Sequence, residues 1–142
     1  MSTINFKIVT PEKEVYAEKI DQVTIDTKEG EITVLPHHMP LISILRPGEM
    51  RIVKDGKEMS MAVLGGFLEI KKDSEVIILA DSAERAEDID LEKAEEARKR
   101  AEELKKQKIV TSDMDYARVS AMLEKELARI KVARRHHKRR GM

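Results

Sequence analysis

The sequence contains no cysteine and no tryptophan, and only two phenylalanines and two tyrosines. Without cysteine it has no disulfide and no thiolate-held metal. With so few aromatic residues, any core must be aliphatic. No run approaches the ~18 apolar residues of a membrane-spanning helix. The first residues show no basic stretch followed by an apolar run, so no secretory signal is expected. The chain is expected to be soluble and intracellular, meeting a membrane only through a partner. Glycine and proline are also missing over much of the chain: from Asp81 onward Gly141 is the only one of either.

What is present changes character at that point. Up to Ala80 the chain is rich in Val, Ile and Leu, with turn residues at intervals. After it, Ala, Glu, Lys and Arg take over. Such a shift marks two structural units of different class. Net charge is zero, yet residues 81–104 carry ten acids against five bases, and residues 125–142 carry eight bases against one acid. A neutral total thus hides a dipolar C-terminal half, an asymmetry that points to a partner.

The first part reads as strands. Asn5-Phe6-Lys7-Ile8-Val9 alternates polar and apolar, and residues 20–27 alternate with period two. Lys28-Glu29-Gly30-Glu31 is a turn, and residues 32–35 resume a strand. Pro36 and Pro40 bound an irregular loop, and Arg46-Pro47-Gly48-Glu49 is a further turn. Asp55-Gly56 suits the tight turn of a hairpin between residues 50–53 and 59–64. Gly65-Gly66 interrupts the next run, predicting a bulge or a close backbone approach. Residues 67–70 and 76–79 make another hairpin. Eight to ten short strands predict a β-sandwich or barrel.

The second part reads as two helices. Asp90 is a candidate N-cap. Leu91, Ala94, Ala97, Ala101 and Leu104 recur at spacings of three and four, a narrow stripe built largely of alanine. The pattern ends near Gln107, and Thr111-Ser112-Asp113 offers a second cap. Tyr116, Val119, Leu123, Leu127, Ile130 and Ala133 give a second stripe. Two antiparallel helices joined by about six residues form a helical hairpin. Little apolar area is available to hold it, so marginal docking is expected, as a conformational switch requires.

No catalytic constellation is legible. Glu84, Glu87, Asp88 and Asp90 cluster, but as acids complementing a helix start. His37-His38 lacks a third ligand at metal spacing, so no metal site is expected, and a partner-contacting loop is the better reading. Gly65-Gly66 lacks phosphate-loop spacing. The basic end, Arg134-Arg135-His136-His137-Lys138-Arg139-Arg140, suits an acidic protein surface or a nucleic acid, and composition alone leaves the two equal. Base-stacking aromatic residues do not accompany it.

Three ordered motifs carry a resemblance. Gly30-Glu31 followed by Leu35-Pro36-His37-His38-Met39-Pro40-Leu41 is the first. Gly65-Gly66-Phe67-Leu68-Glu69 is the second, and Ala80-Asp81-Ser82-Ala83-Glu84-Arg85-Ala86-Glu87-Asp88-Ile89-Asp90 the third. Together they resemble the epsilon subunit of bacterial F-type ATP synthases over nearly the whole chain. The resemblance implies an α+β architecture: a ten-stranded β-sandwich over 1–83, then an antiparallel two-helix hairpin over 84–142. It implies a non-catalytic subunit of the central stalk, peripheral on the cytoplasmic face of the bacterial cell membrane. The sandwich is expected to bind the gamma subunit and the c-ring, with Glu31 and His38 facing the ring.

In that family the hairpin lies on the sandwich in a compact state, or rises into the catalytic head and blocks ATP hydrolysis. Lys125, Arg129, Lys131, Arg134 and Arg135 would then meet acidic segments of the alpha and beta subunits. That places an acidic protein ahead of nucleic acid. A basic-tailed nucleic-acid-binding module and a stand-alone ATP sensor are the alternatives. Some relatives bind one regulatory ATP through Ile-Asp, two variable residues, then Arg-Ala. The matching positions here are Glu84, Ile89, Asp90, Lys93, Ala94, Arg100, Lys125 and Arg129. Lys93 and Lys125 stand where arginine is expected, which keeps charge but loses the bidentate fork. ATP is thus expected as a possible regulatory ligand, with no obligatory cofactor.

Overall fold

The computed structural model describes residues 2–107 and 113–140. The chain divides into two compact units, Met1–Arg85 and Ala86–Met142.

The first unit is a ten-stranded β-sandwich. Its strands are β1 (Ile4–Val9), β2 (Glu14–Ile20), β3 (Gln22–Thr27), β4 (Gly30–Val34), β5 (Leu41–Leu45), β6 (Gly48–Lys54), β7 (Lys57–Val63), β8 (Gly66–Lys71), β9 (Glu75–Ala80) and β10 (Ala83–Arg85). They hydrogen-bond in the order β10-β7-β6-β3-β5-β8-β9-β1-β2, with β4 attached to β3. Only β1 and β9 run parallel; the other pairs are antiparallel. Period-two alternation sends Ile4, Phe6 and Ile8 inward from β1, Leu68 and Ile70 from β8, and Val76, Ile78 and Ala80 from β9. They meet Ile20, Val23, Met50, Ile52 and Met61 in one core, aliphatic as the composition requires. At the end of the strand path, Lys54 on β6 reaches Glu18 on β2 at 2.8 Å. Beside this ion pair, burial and a hydrogen bond to Glu18 push the Tyr16 phenol up to about 12.

The turns match their residues. Asp55 and Gly56 have φ of 51° and 77°, the positive pair of a type I′ hairpin turn. Gly66 has φ of 121°, and a Cβ there would collide with the Leu79 carbonyl. The close backbone approach expected at Gly65-Gly66 is therefore present. Three of the ten strands that the resemblance implies, β2, β5 and β10, have no segment of their own in the alternation pattern. Residues 20–27 are not one strand, because Asp21 separates β2 from β3. β5 follows the Pro-flanked loop directly. The first unit also runs two residues past the expected boundary at 83, because Ala83–Arg85 pairs with Val63, Ala62 and Met61.

The second unit opens with a short 3-10 turn, Ala86–Asp88, followed by α1 (Leu91–Lys106) and α2 (Asp113–Arg140). Asp90 caps α1 as expected, its carboxylate accepting the Lys93 N–H at 3.1 Å. The helices run antiparallel. Glu95 near the start of α1 pairs with Arg134 near the end of α2. Lys105 at the other end of α1 lies 5.2 Å from the centroid of the Tyr116 ring. Ala94, Ala101, Val119, Ile130 and Ala133 of the expected stripes are buried, whereas Leu104, Tyr116 and Leu127 are exposed. Ala128 and Val132, outside the stripes, are buried as well. The expected cap at Thr111-Ser112 lies outside the described residues.

Candidate interaction surfaces

Two features of the first unit present chemistry outward. One is the loop between β4 and β5. The His38 N–H donates to the Leu35 carbonyl at 3.2 Å. Pro36 holds the second position of this turn, and His37, with φ of 67°, the third. That is a type II turn with histidine where glycine is usual. The His37 N–H donates to Ser74 Oγ at 2.8 Å, and its Nε2 lies 3.3 Å from Ser2 Oγ. The His38 Nδ1 donates to the Met39 carbonyl at 2.7 Å. With these polar groups engaged, the loop exposes apolar ones: Met39 is 78% exposed and Leu35 52%.

Of the two expected ring contacts, Glu31 lies near the start of β4, and His38 lies in the loop beyond the end of that strand. Glu31 is exposed and paired with Arg51 at 3.3 Å, which also binds Glu49 at 3.2 Å. Burial pulls the Arg51 guanidinium down, but these two carboxylates outweigh it and hold it above its ordinary value.

The other feature is a face that sequence reasoning missed. Ile44, Phe67, Leu79 and Val9 are cross-strand neighbours on β5, β8, β9 and β1. Phe67 is 51% exposed and Leu79 53%, and Ile44 is exposed too. Beside this row run Ile42, Glu69, Ile77 and Lys7. An apolar patch crossing four strands on a solvent face marks an interaction site. Its signal was available: Leu41-Ile42-Ser43-Ile44-Leu45 and Val76-Ile77-Ile78-Leu79 are apolar on both faces, the pattern of strands covered on both sides.

On the hairpin, helix geometry sorts the cations. Lys93 and Arg100 stand two turns apart, each beside a buried alanine of the seam (Ala94, Ala101). Arg100 is midway between Glu95 and Lys105, and so level with the stretch around Lys125, midway between Tyr116 and Arg134. Asp90 lies about 15 Å from Arg100 along the α1 axis, with Ile89 just before it. Arg129 is bound to Glu126 at 3.1 Å. Glu84 belongs to β10 of the first unit. The five cations read as one basic face do not share a face. Lys125 and Arg129 are one turn apart, as are Lys131 and Arg135, and the two pairs are offset by about 120°.

Among the described residues there is no cluster of three or more His, Cys, Asp or Glu side chains that could hold a metal, and no helix long and apolar enough to cross a membrane.

Comparison with known proteins gives a consistent answer. Residues 3–86 match the ATP synthase delta/epsilon chain beta-sandwich domain, and residues 87–134 match the long alpha-helix domain of the same family. The ATP synthase epsilon chain of Dehalococcoides mccartyi is 44% identical over 138 residues, covering 97% of each chain. That of Desulforamulus reducens is 44% identical over 131 residues, covering 92% of this chain and 97% of the relative. A chain of the Euglena gracilis mitochondrial ATP synthase OSCP/F1/c-ring assembly has a like fold, with a TM-score of 0.79 at 24% identity, covering 90% of this chain and 79% of that one. With both domains matched in order across nearly its whole length, this chain belongs to the ATP synthase epsilon-chain family.

Proposed function

We propose that the chain is a non-catalytic subunit of the central stalk of a proton-translocating F-type ATP synthase. The sandwich joins gamma to the c-ring, and the hairpin restrains ATP hydrolysis. It sits at the cytoplasmic face of the membrane through the complex. The observation that carries this reading is the exposed apolar row Ile44-Phe67-Leu79. Four strands that turn an apolar outer face to solvent call for a permanent protein neighbour. The Euglena relative comes from an assembly of F1 with its c-ring, which suits the same placement. Glu31 and His38 remain the proposed ring contacts.

The hairpin supplies the regulatory half. In the inhibitory state Lys125, Arg129, Lys131, Arg134 and Arg135 meet acidic segments of alpha and beta. Because they point around α2 rather than to one side, that partner surface must wrap the helix. Arg134 and Arg129 first exchange Glu95 and Glu126 for it.

A nucleotide, when bound, supplies a polyanion at the hairpin. Arg100, Lys125 and Arg129 suit its phosphates by charge, with Lys93 two turns away along α1. Asp90, Ile89 and Ala94 complete the proposed set on this unit. ATP bound only in the compact state would add RT ln(1 + [L]/Kd) to its stability, about 2.7 kcal/mol at a hundredfold excess over Kd.

Introducing charge into the apolar row tests the placement. Phe67→Glu is expected to leave the chain folded, because the side chain already faces solvent, and to reduce its incorporation into the complex at least tenfold. Undiminished incorporation would remove the apolar face from the account.

A further inference from the structure

The loop carrying His37 and His38 is held by a residue that no sequence feature pointed to. Ser74 lies between β8 and β9, with φ of 59° and 7% exposure. Its hydroxyl accepts the N–H of His37 at 2.8 Å. Its carbonyl accepts the N–H of Asn5 at 2.9 Å. One buried residue therefore joins three stretches of chain that are far apart in sequence: the start of β1, the β8–β9 turn and the loop.

The loop needs such a tie. His37 holds a left-handed conformation without being glycine, and such a conformation persists only where its surroundings over-determine it. The exposed contact between His37 Nε2 and Ser2 Oγ is longer, at 3.3 Å. The His38 ring is turned back onto the loop's own backbone. The His37 side chain stays exposed and His38 half-buried, and the apolar Leu35 and Met39 stand outward with them.

We propose that Ser74 is a positioning residue whose hydroxyl latches this loop in the conformation that docks on the ring partner. This rests on the docking role given to the loop above. Ser74 touches no partner itself; it acts through His37. The physical basis is preorganisation: a loop free to leave its docking shape weakens apparent affinity by the fraction of time it spends elsewhere.

The test uses the full chain binding the purified c-ring in lipid nanodiscs, with amide hydrogen exchange on the same proteins. Ser74→Ala removes the hydroxyl. Ser74→Gly removes it and also relieves the positive φ, so that it folds. Both are expected to speed exchange at the His37 amide, leave exchange at Ile78 in the core unchanged, and weaken binding about tenfold. A merely structural role would speed exchange at Ile78 as well, and that result overturns the latch. So does native affinity or unchanged His37 exchange in both variants. Met39→Asp separates the latch from the docking reading. It is expected to abolish binding with His37 exchange unchanged. Native binding by Met39→Asp would refute docking through this loop, and the latch with it. Lost binding in Met39→Asp beside native binding in the Ser74 variants would refute the latch alone.

Discussion

The two units bury different kinds of side chain. The sandwich encloses large aliphatic residues completely: Ile4, Ile8, Ile20, Ile52, Met61, Leu68 and Ile78 are all sealed from solvent. Among the described residues of the hairpin those fully sealed are small, namely Ala94, Ala101, Ala133 and Val132, whereas Leu104, Tyr116, Met122 and Leu127 stay exposed. Apolar burial contributes roughly 25 cal/mol per Å². The sandwich therefore carries its stability within itself, and the hairpin has little apolar area from which to draw it. Its more exposed ion pairs, Arg98–Glu102 at 2.9 Å and Arg134–Glu95, add little, since such pairs are worth about 0–1 kcal/mol each.

Substitutions should follow this contrast. The largest effect is expected in the sandwich core: Ile78→Ala should cost about 2–5 kcal/mol. In a Tyr116→Phe background, Tyr16 is the sole tyrosine, so its fluorescence in urea follows the sandwich alone. A loss under 1 kcal/mol would mean that the core is not close-packed there.

High pH should produce the next largest effect, again in the sandwich. The Tyr16 phenol is raised from 10.0 to about 12 by burial and its bond to Glu18. A group whose folded-state pKa is raised adds stability that is complete below pH 10 and is lost as pH climbs toward 12. The loss should be no more than about 3 kcal/mol. Tyr16→Phe should flatten the profile over that window, and a profile unaltered by Tyr16→Phe would contradict the assignment.

The smallest effect is expected in the hairpin. Asp90→Ala removes the cap on α1 and should cost about 1 kcal/mol of helix stability, seen as reduced helical circular dichroism near the melting range. Asp90→Asn, which can still cap, should restore it. Equal loss in both would show that the carboxylate acts otherwise, through a ligand for example. Calorimetry with ATP would then separate the two roles, and Lys93→Arg should strengthen any binding by restoring the fork.

Much of this was legible in the sequence, for identifiable reasons. β1 and β3 alternate polar and apolar residues along the sequence, and Asp55-Gly56 sets its turn by φ preference alone. Asp90 announces its cap. What escaped notice lacked one-sided patterning. β2 buries only Tyr16 and Ile20 of its seven residues, so its period is faint. β5 is apolar on both faces and sits against a proline, which disguised a strand as loop. β10 is three residues long and gains its identity from pairing with β7. The apolar outer face needed register to assemble, because Ile44, Phe67, Leu79 and Val9 come from four separate strands. Ser74 was invisible for the same reason, since its partner lies 37 residues away. The basic residues of α2 were easy to count, but their division around the helix emerges only from its phase.

In the proposed function the sandwich docks and the hairpin restrains. The most direct test is ATP hydrolysis by the assembled complex carrying either the full chain or residues 1–85, a cut that keeps β10 in the sheet. The account predicts normal assembly and faster hydrolysis with the shortened chain. Unchanged hydrolysis in a normally assembled complex would contradict it.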